Sequence, residues 1–372
     1  MSVTGCREDC ANAQINDVGL WPARLADGTV GFNLLVGGGL SDGPRMASDI
    51  DVFVVPDQAV ELTRAVAQLF GELGDRENRW TCRMRYLVQE LGPEGFREEL
   101  ARRAAFPLTP AGETLTRRHR GDHVGVHRQK QPGLYYVGLS VTVGRMSGGQ
   151  LVEAARLASA YGSGELRLAT DQNLILPGVQ GERLDDLLAE PLLAECSPSP
   201  GPFERGAVAC TGSEFCRFAI IETKARTATL AQRLDQHVDV GDDVGEEEII
   251  RLHVSGCSAS CAQPQIADIG LRGEIAHRGE AIVEAADIGL GGSLGRDAAF
   301  IDWVEGAHPL DQAPAALARL LGRYRTECGD GERFHQWCRR VGNHALRQTI
   351  QDASRDASRD GSRKDGSRKE AG

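Results

Sequence analysis

Cys210 and Cys216 stand with five residues between them, Cys257 and Cys261 with three, and about forty residues separate the two pairs. Four thiolates on two short loops can enclose one soft-metal centre: an iron–sulfur cluster, zinc or copper(I). Buried, inert thiols are the structural alternative. Zinc loops usually carry tighter pairs, which moves the balance toward a cluster. Gly212, Gly256 and the small residues Ser258, Ala259 and Ser260 leave backbone amides free to approach a bound anion, as cluster sulfides require. Cys6 and Cys10 repeat the spacing of the second pair without a CxxxxxC pair before them, so a second complete four-cysteine set is absent. They read as relics of duplication rather than as ligands. Cys82, Cys196, Cys328 and Cys338 belong to no motif and read as ordinary thiols.

The elements that must position these loops come in two copies. VTGCREDCANAQINDVGL at 3–20 aligns without a gap to VSGCSASCAQPQIADIGL at 254–271, with ten of eighteen positions identical. Each copy runs on through a turn to a glycine cluster, Gly37-Gly38-Gly39-Leu40 against Gly291-Gly292-Ser293-Leu294. β-Branched and aliphatic residues flanked by glycines predict strands at 29–36 and 279–288. Helical spacing of apolar residues marks 58–73 and 313–324. Each copy is therefore a mixed α/β unit. Between them, alternation at Val137, Leu139, Val141 and Val143 predicts a half-buried strand. Ser147 and Gln150 then have capping-box spacing ahead of a helix at 151–161 that ends at Gly162. A strand at 165–179, interrupted by Asp171-Gln172-Asn173, and a helix at 183–193 complete a βαβα order that suits a split half-domain. From Asp352 a fourfold repeat of Ala-or-Gly, Ser and Arg offers nothing larger than alanine to bury, so disorder is expected there.

Composition sets the outer limits. The 372 residues suffice for two or three domains. A net charge of −11 argues against a nucleic-acid binder that works by neutralising phosphates. No apolar run approaches a membrane span. The start has no signal-like pattern. Ten cysteines are too sparse for a disulfide scaffold and point to reduced thiols or metal ligands. The expectation is a soluble cytoplasmic protein.

ACTGSEFCRFAIIETKAR at 209–226 and SGCSASCAQPQIADIG at 255–270 resemble the cluster motifs of the siroheme-dependent nitrite and sulfite reductase family. GFNLLVGG at 31–38, GVHRQKQPG at 125–133 and GSGELRLATDQNLILP at 162–177 resemble the family in its order, and the resemblance runs from Val3 to about Ile350. It implies an α+β fold in which two duplicated α/β cluster-fold units flank a ferredoxin-like half-domain. The expected boundaries are 1–108, a linker at 109–131, the half-domain at 132–202, the second unit at 203–350 and a tail at 351–372. It further implies that Cys210, Cys216, Cys257 and Cys261 ligate a 4Fe–4S cluster, and that Cys261 also bridges to siroheme iron. Arg167, Gln172, Asn173 and Lys130 are similar to positions that meet the siroheme carboxylates, a role needing cationic and amide donors. The implied activity is six-electron reduction of nitrite to ammonium, or of sulfite to sulfide, with a ferredoxin as one-electron donor. The spacer 211–215 and the string 221–224 look more like nitrite-reducing members.

Arg117, Arg118, His119, Arg120, Arg128 and Lys130 form a local basic run, either a dock for an acidic donor or a solvated linker. The family's first ferredoxin-like half, which with its joining segment supplies most of the cations that grip the substrate oxyanion, has no matching positions here. Weak siroheme retention and poor turnover are therefore expected of this chain alone. Two other functions share the motifs: a cobalamin-pathway precorrin synthase of the same superfamily, and a non-catalytic cluster-binding remnant.

Overall fold

The computed structural model describes residues 1–118, 120–237 and 249–353, so most of the Ser-Arg repeat tail lies outside the described residues. The chain forms two compact units, one of residues 1–122 with 294–299, the other of 123–293 with Phe300 onward.

In the first unit, strands β1 (Ser2–Val3), β2 (Val18–Arg24), β3 (Val30–Val36) and β4 (Ser48–Val54) lie in that order, and β5 (Glu113–Thr114) pairs with the end of β2 at Ala23 and Arg24. The β1–β2 pair is parallel and the rest antiparallel. Helices α1 (Ala59–Leu73) and α2 (Met84–Ala101) cover one face. Leu20, Leu34 and Val52 of the sheet meet Leu62, Val66, Leu69 and Phe96 of the helices in one core. Gly92, at φ 69°, breaks α2 just before Pro93, since proline cannot continue the ladder behind it.

The second unit holds two sheets. The first comprises β6 (Gly125–Arg128), β7 (Leu134–Leu139), β8 (Arg167–Leu168) and β9 (Leu174–Gln180) in the order β6-β7-β9-β8, all antiparallel. Helix α3 (Gly148–Tyr161) packs on it, and its capping box is formed: Gln150 N donates to Ser147 Oγ at 3.2 Å while Ser147 N donates to Gln150 Oε1 at 2.8 Å. The helix expected at 183–193 is two short pieces, α4 (Leu184–Leu188) and α5 (Leu192–Glu195), parted at Pro191. The span expected as a linker at 109–131 carries the strands β5 and β6.

Beyond the short helix α6 (Pro202–Arg205), the second sheet runs β10 (Ala207–Ala209), β11 (Leu252–Ser255), β12 (Ile269–Arg278), β13 (Ala281–Leu290), β14 (Asp302–Pro309). Helix α7 (Lys224–His237) lies between β10 and β11 in sequence, and α8 (Ala313–Glu327), α9 (Phe334–Val341) and a helical stretch at 343–353 follow. Trp337, Tyr324 and Phe334 centre the core, joined by Leu252, Ile269, Ile288 and Leu317. No helix among the described residues is long and apolar enough to cross a membrane.

The sequence repeat is a structural repeat. Ser2 and Val3 face Gly19 and Leu20 in the register in which His253 and Val254 face Gly270 and Leu271. Both copies place left-handed residues at matching loop positions, Asp9 and Asn12 in one and Ser260 and Gln263 in the other. Gly342, at φ 80°, interrupts the helices of the second copy as Gly92 does in the first.

The first copy's loop encloses a carboxyl. Asp9 is fully buried, its Oδ1 accepting from the Thr4 hydroxyl at 2.9 Å and Ala13 N at 3.0 Å. Its Oδ2 has no hydrogen-bond partner among the described residues. Burial pushes this carboxyl up from its ordinary 3.8, against the pull of the two hydrogen bonds and of Arg120; the neighbouring Cys6 adds to the rise. The folded state therefore keeps the proton to higher pH than the unfolded chain. Its stabilising contribution is full below the ordinary carboxyl value and is lost as pH rises through the folded one. Asp9→Asn keeps an acceptor oxygen for Thr4 and Ala13 but cannot titrate. Its stability relative to wild type should rise with pH, by at most about 1.4 kcal/mol per pH unit, across the window opened above 3.8. Urea midpoints at a series of pH values measure this, and a difference that stays flat contradicts the assignment.

Candidate metal centre

The two cysteine loops leave neighbouring parallel strands at the same end. Ala209 faces Val254 across β10 and β11, and Cys210 N donates to Val254 O at 3.1 Å, so the loop from Cys210 starts beside the one from Cys257. The first loop then tightens. Cys216 N donates to Gly212 O at 2.9 Å and Ser213 N to Ile221 O at 3.1 Å. Gly212 makes the bend at φ 71°, with the position of an absent Cβ only 2.6 Å from Thr223 Oγ1 and 2.7 Å from Thr223 N, so a side chain there would be both strained and obstructed. The loops are tied together by Ile220 N donating to Gly256 O at 2.7 Å.

The four thiols share one electrostatic neighbourhood. Burial pushes the Cys261 thiol up, and negative charge on Cys210, Cys257 and Cys216 pushes it further. Cys210 Sγ accepts from Gly256 N at 3.1 Å, an amide–sulfur bond of the kind that tunes cluster potentials. Cys210, Cys216 and Cys257 are partly buried while Cys261 is exposed, which leaves the fourth thiolate open to a further group.

Around this centre stand Thr223, Lys224 and Gln172. Thr223 Oγ1 donates to Cys210 O at 2.6 Å. The Lys224 ammonium donates to the carbonyls of Val143 and Ala209, the latter at 3.3 Å. Desolvation is the main cause that lowers its pKa, with Arg145 adding to the fall, and the nearby Cys210 opposes it. Gln172, left-handed at φ 70°, reads both backbone groups of Ala209: its Nε2 donates to Ala209 O at 2.8 Å and its Oε1 accepts from Ala209 N at 3.3 Å. Three side chains thus converge on the residues that deliver Cys210.

The model of the nitrite and sulphite reductase 4Fe-4S domain matches residues 1–108 and 201–356, and that of the nitrite/sulfite reductase ferredoxin-like half domain matches 127–194. The chain belongs to the nitrite and sulfite reductase family. It is 45% identical over 363 residues to the assimilatory ferredoxin-dependent nitrite reductase of Haloferax mediterranei, covering 93% of this chain and 61% of that one. It is 42% identical over 324 residues to the ferredoxin–nitrite reductase of Synechococcus elongatus, covering 86% and 62%. The structure of the Mycobacterium tuberculosis NirA protein superposes with a TM-score of 0.86 at 31% identity, covering 92% of this chain and 63% of that one. The chain thus spans about three fifths of the length of these relatives. The α+β architecture read from the sequence, with a ferredoxin-like half between two repeated units, is that of the nitrite and sulfite reductase family.

Within this family fold the remaining candidate residues fall into two groups. Gln172 and Asn173 spend their amides on backbone, Asn173 Oδ1 accepting from Val141 N at 2.9 Å. Arg167, on β8, is exposed with Glu165 at 3.5 Å, and Lys130 is exposed after β6. The basic run does not act as one patch: Arg117 pairs with Glu8 at 2.9 Å, Arg118 with Asp297 at 2.7 Å, and Arg120 is buried. His119 lies outside the described residues.

Proposed function

We propose that this chain is the cofactor-holding part of an assimilatory nitrite reductase that works in the cytoplasm. It takes nitrite to ammonium with six electrons delivered singly by a ferredoxin; reduction of sulfite to sulfide is the related alternative. The convergence of Cys210, Cys216, Cys257 and Cys261 from two adjacent loops carries this reading.

When bound, a 4Fe–4S cluster and siroheme supply the electron storage and transfer. Cys210, Cys216 and Cys257 would hold the cluster, and exposed Cys261 would complete its ligand set and be open to siroheme. The Gly256 amide donates to the Cys210 sulfur, a contact that would favour the reduced state of a bound cluster. Thr223 and Lys224 fix the carbonyls on either side of that ligand's peptide link. Exposed Arg167 and Lys130 offer cations to siroheme carboxylates. Gln172 and Asn173 serve the site indirectly, by clamping the 169–173 turn against Ala209 and Val141.

Protein purified without oxygen should carry about four irons per chain with matching acid-labile sulfide. Given a one-electron donor and nitrite, it should release ammonium, at the low turnover expected of this chain alone. Stoichiometric zinc without sulfide would sink the cluster; sulfide from sulfite at a rate far above ammonium from nitrite would reassign the substrate.

A further inference from the structure

Cys6 and Cys10 occupy the places in the first copy that Cys257 and Cys261 occupy in the second, yet their sulfurs are turned onto each other. Sγ stands 3.1 Å from Sγ, about 1 Å outside the length of a disulfide bond, near 2.05 Å. The loop between them is shaped by the left-handed Asp9, which the Thr4 hydroxyl and the Ala13 amide lock in place. Both thiols are partly exposed.

We infer that Cys6 and Cys10 form a redox-active dithiol that a low-molecular-weight disulfide oxidises to an intramolecular Cys6–Cys10 disulfide. Arg7, Glu8 and Asp9 are the residues enclosed by the bond. In the first step the Cys6 thiolate attacks one sulfur of the oxidant, making a mixed disulfide and expelling one small thiolate. In the second the Cys10 thiolate attacks the Cys6 sulfur, forming the internal bond and expelling the other small thiolate. Two cysteine thiols give up two electrons and two protons, and one disulfide becomes two thiols. The order of attack follows from the surroundings. The hydrogen shared with Cys6 and burial push the Cys10 thiol up, so Cys10 keeps its proton until Cys6 has reacted. Once Cys6 is capped that sharing ends, and the positive charge of Arg120, which already pulls the Cys10 thiol down, favours the second thiolate.

This site lies outside the four-thiol centre and does not depend on the function proposed above. The test uses the full chain with its cluster, incubated anaerobically with graded ratios of oxidised to reduced glutathione. Free thiols are then alkylated and the chain is cut with trypsin. Cleavage after Arg7 separates the two cysteines, so an internal disulfide appears as peptides 1–7 and 8–24 joined, two hydrogens lighter than their sum. The joined pair should dominate at oxidising ratios and vanish after reduction. Cys10→Ser should leave Cys6 as a stable glutathione adduct, at least tenfold more abundant than in wild type, because the resolving thiol is gone. Alkylation of both cysteines at the most oxidising ratio would overturn the inference. So would glutathione adducts that persist in wild type as they do in Cys10→Ser, or pairing of either cysteine with a different one.

Discussion

Replacing Cys210 or Cys216 with serine should take the chain from about four irons to background iron and acid-labile sulfide, because a 4Fe–4S site needs every one of its four thiolates. Cys6→Ser and Cys10→Ser should keep the full iron content. The contrast isolates position from chemistry: the same residue type is removed in each case, and only the four-thiol neighbourhood around Cys261 distinguishes the sites. Metal and sulfide analysis of the four variants, prepared side by side without oxygen, measures it. A Cys10→Ser protein as depleted as Cys216→Ser would show that the first copy's thiols take part in the centre.

The second large effect concerns the core that carries both cysteine loops. Trp337 is fully buried, with ring centroids 5.5 Å from Tyr324 and 5.7 Å from Phe334. Truncation loses the buried ring and leaves a cavity that its two aromatic neighbours cannot fill. Trp337→Ala should therefore cost about 3–5 kcal/mol, a large part of the roughly 5–15 kcal/mol that holds a typical domain folded. Trp80, 80% exposed, is the internal control: Trp80→Ala should stay within about 0.5 kcal/mol of wild type. Urea unfolding followed by far-ultraviolet circular dichroism compares them. Equal losses for the two variants would mean that the Trp337 site collapses without cost.

Those two tryptophans show what the chain alone discloses. Each sits within two residues of a cysteine, Trp80 before Cys82 and Trp337 before Cys338, yet one is solvated and the other is the centre of a core. That outcome depends on helices α8 and α9 meeting, which no local pattern encodes. By contrast, the Ser147–Gln150 cap and the strand–turn–strand path through 167–180 are settled by neighbours a few residues apart, and they read directly. The split of the 183–193 helix was also legible in principle, since Pro191 is in plain view. The four cysteines stood out through spacing and a recurring loop. Lys224 and Thr223 did not, because their partners Val143, Ala209 and Cys210 lie between 13 and 81 residues away. Gln172 was noticed as a polar break in a strand, but its grip on Ala209, 37 residues on, is a product of the folded sheet order.

The matched left-handed bends at Asp9 and Asn12 and at Ser260 and Gln263 bear on how the metal centre is made. The first copy takes these bends without a CxxxxxC pair to complete a four-cysteine set, so the shape is set by the strands that flank it and by its own hydrogen bonds. The second copy's loop then has no need of iron to acquire the same curve. Fixing a backbone residue costs roughly 1–2 kcal/mol, a cost that such matched bends would place on folding rather than on metal capture. A cluster handed over by a delivery protein would meet a receptacle already set, and uptake would be limited by exchange of ligands between donor and acceptor rather than by rearrangement of the acceptor chain.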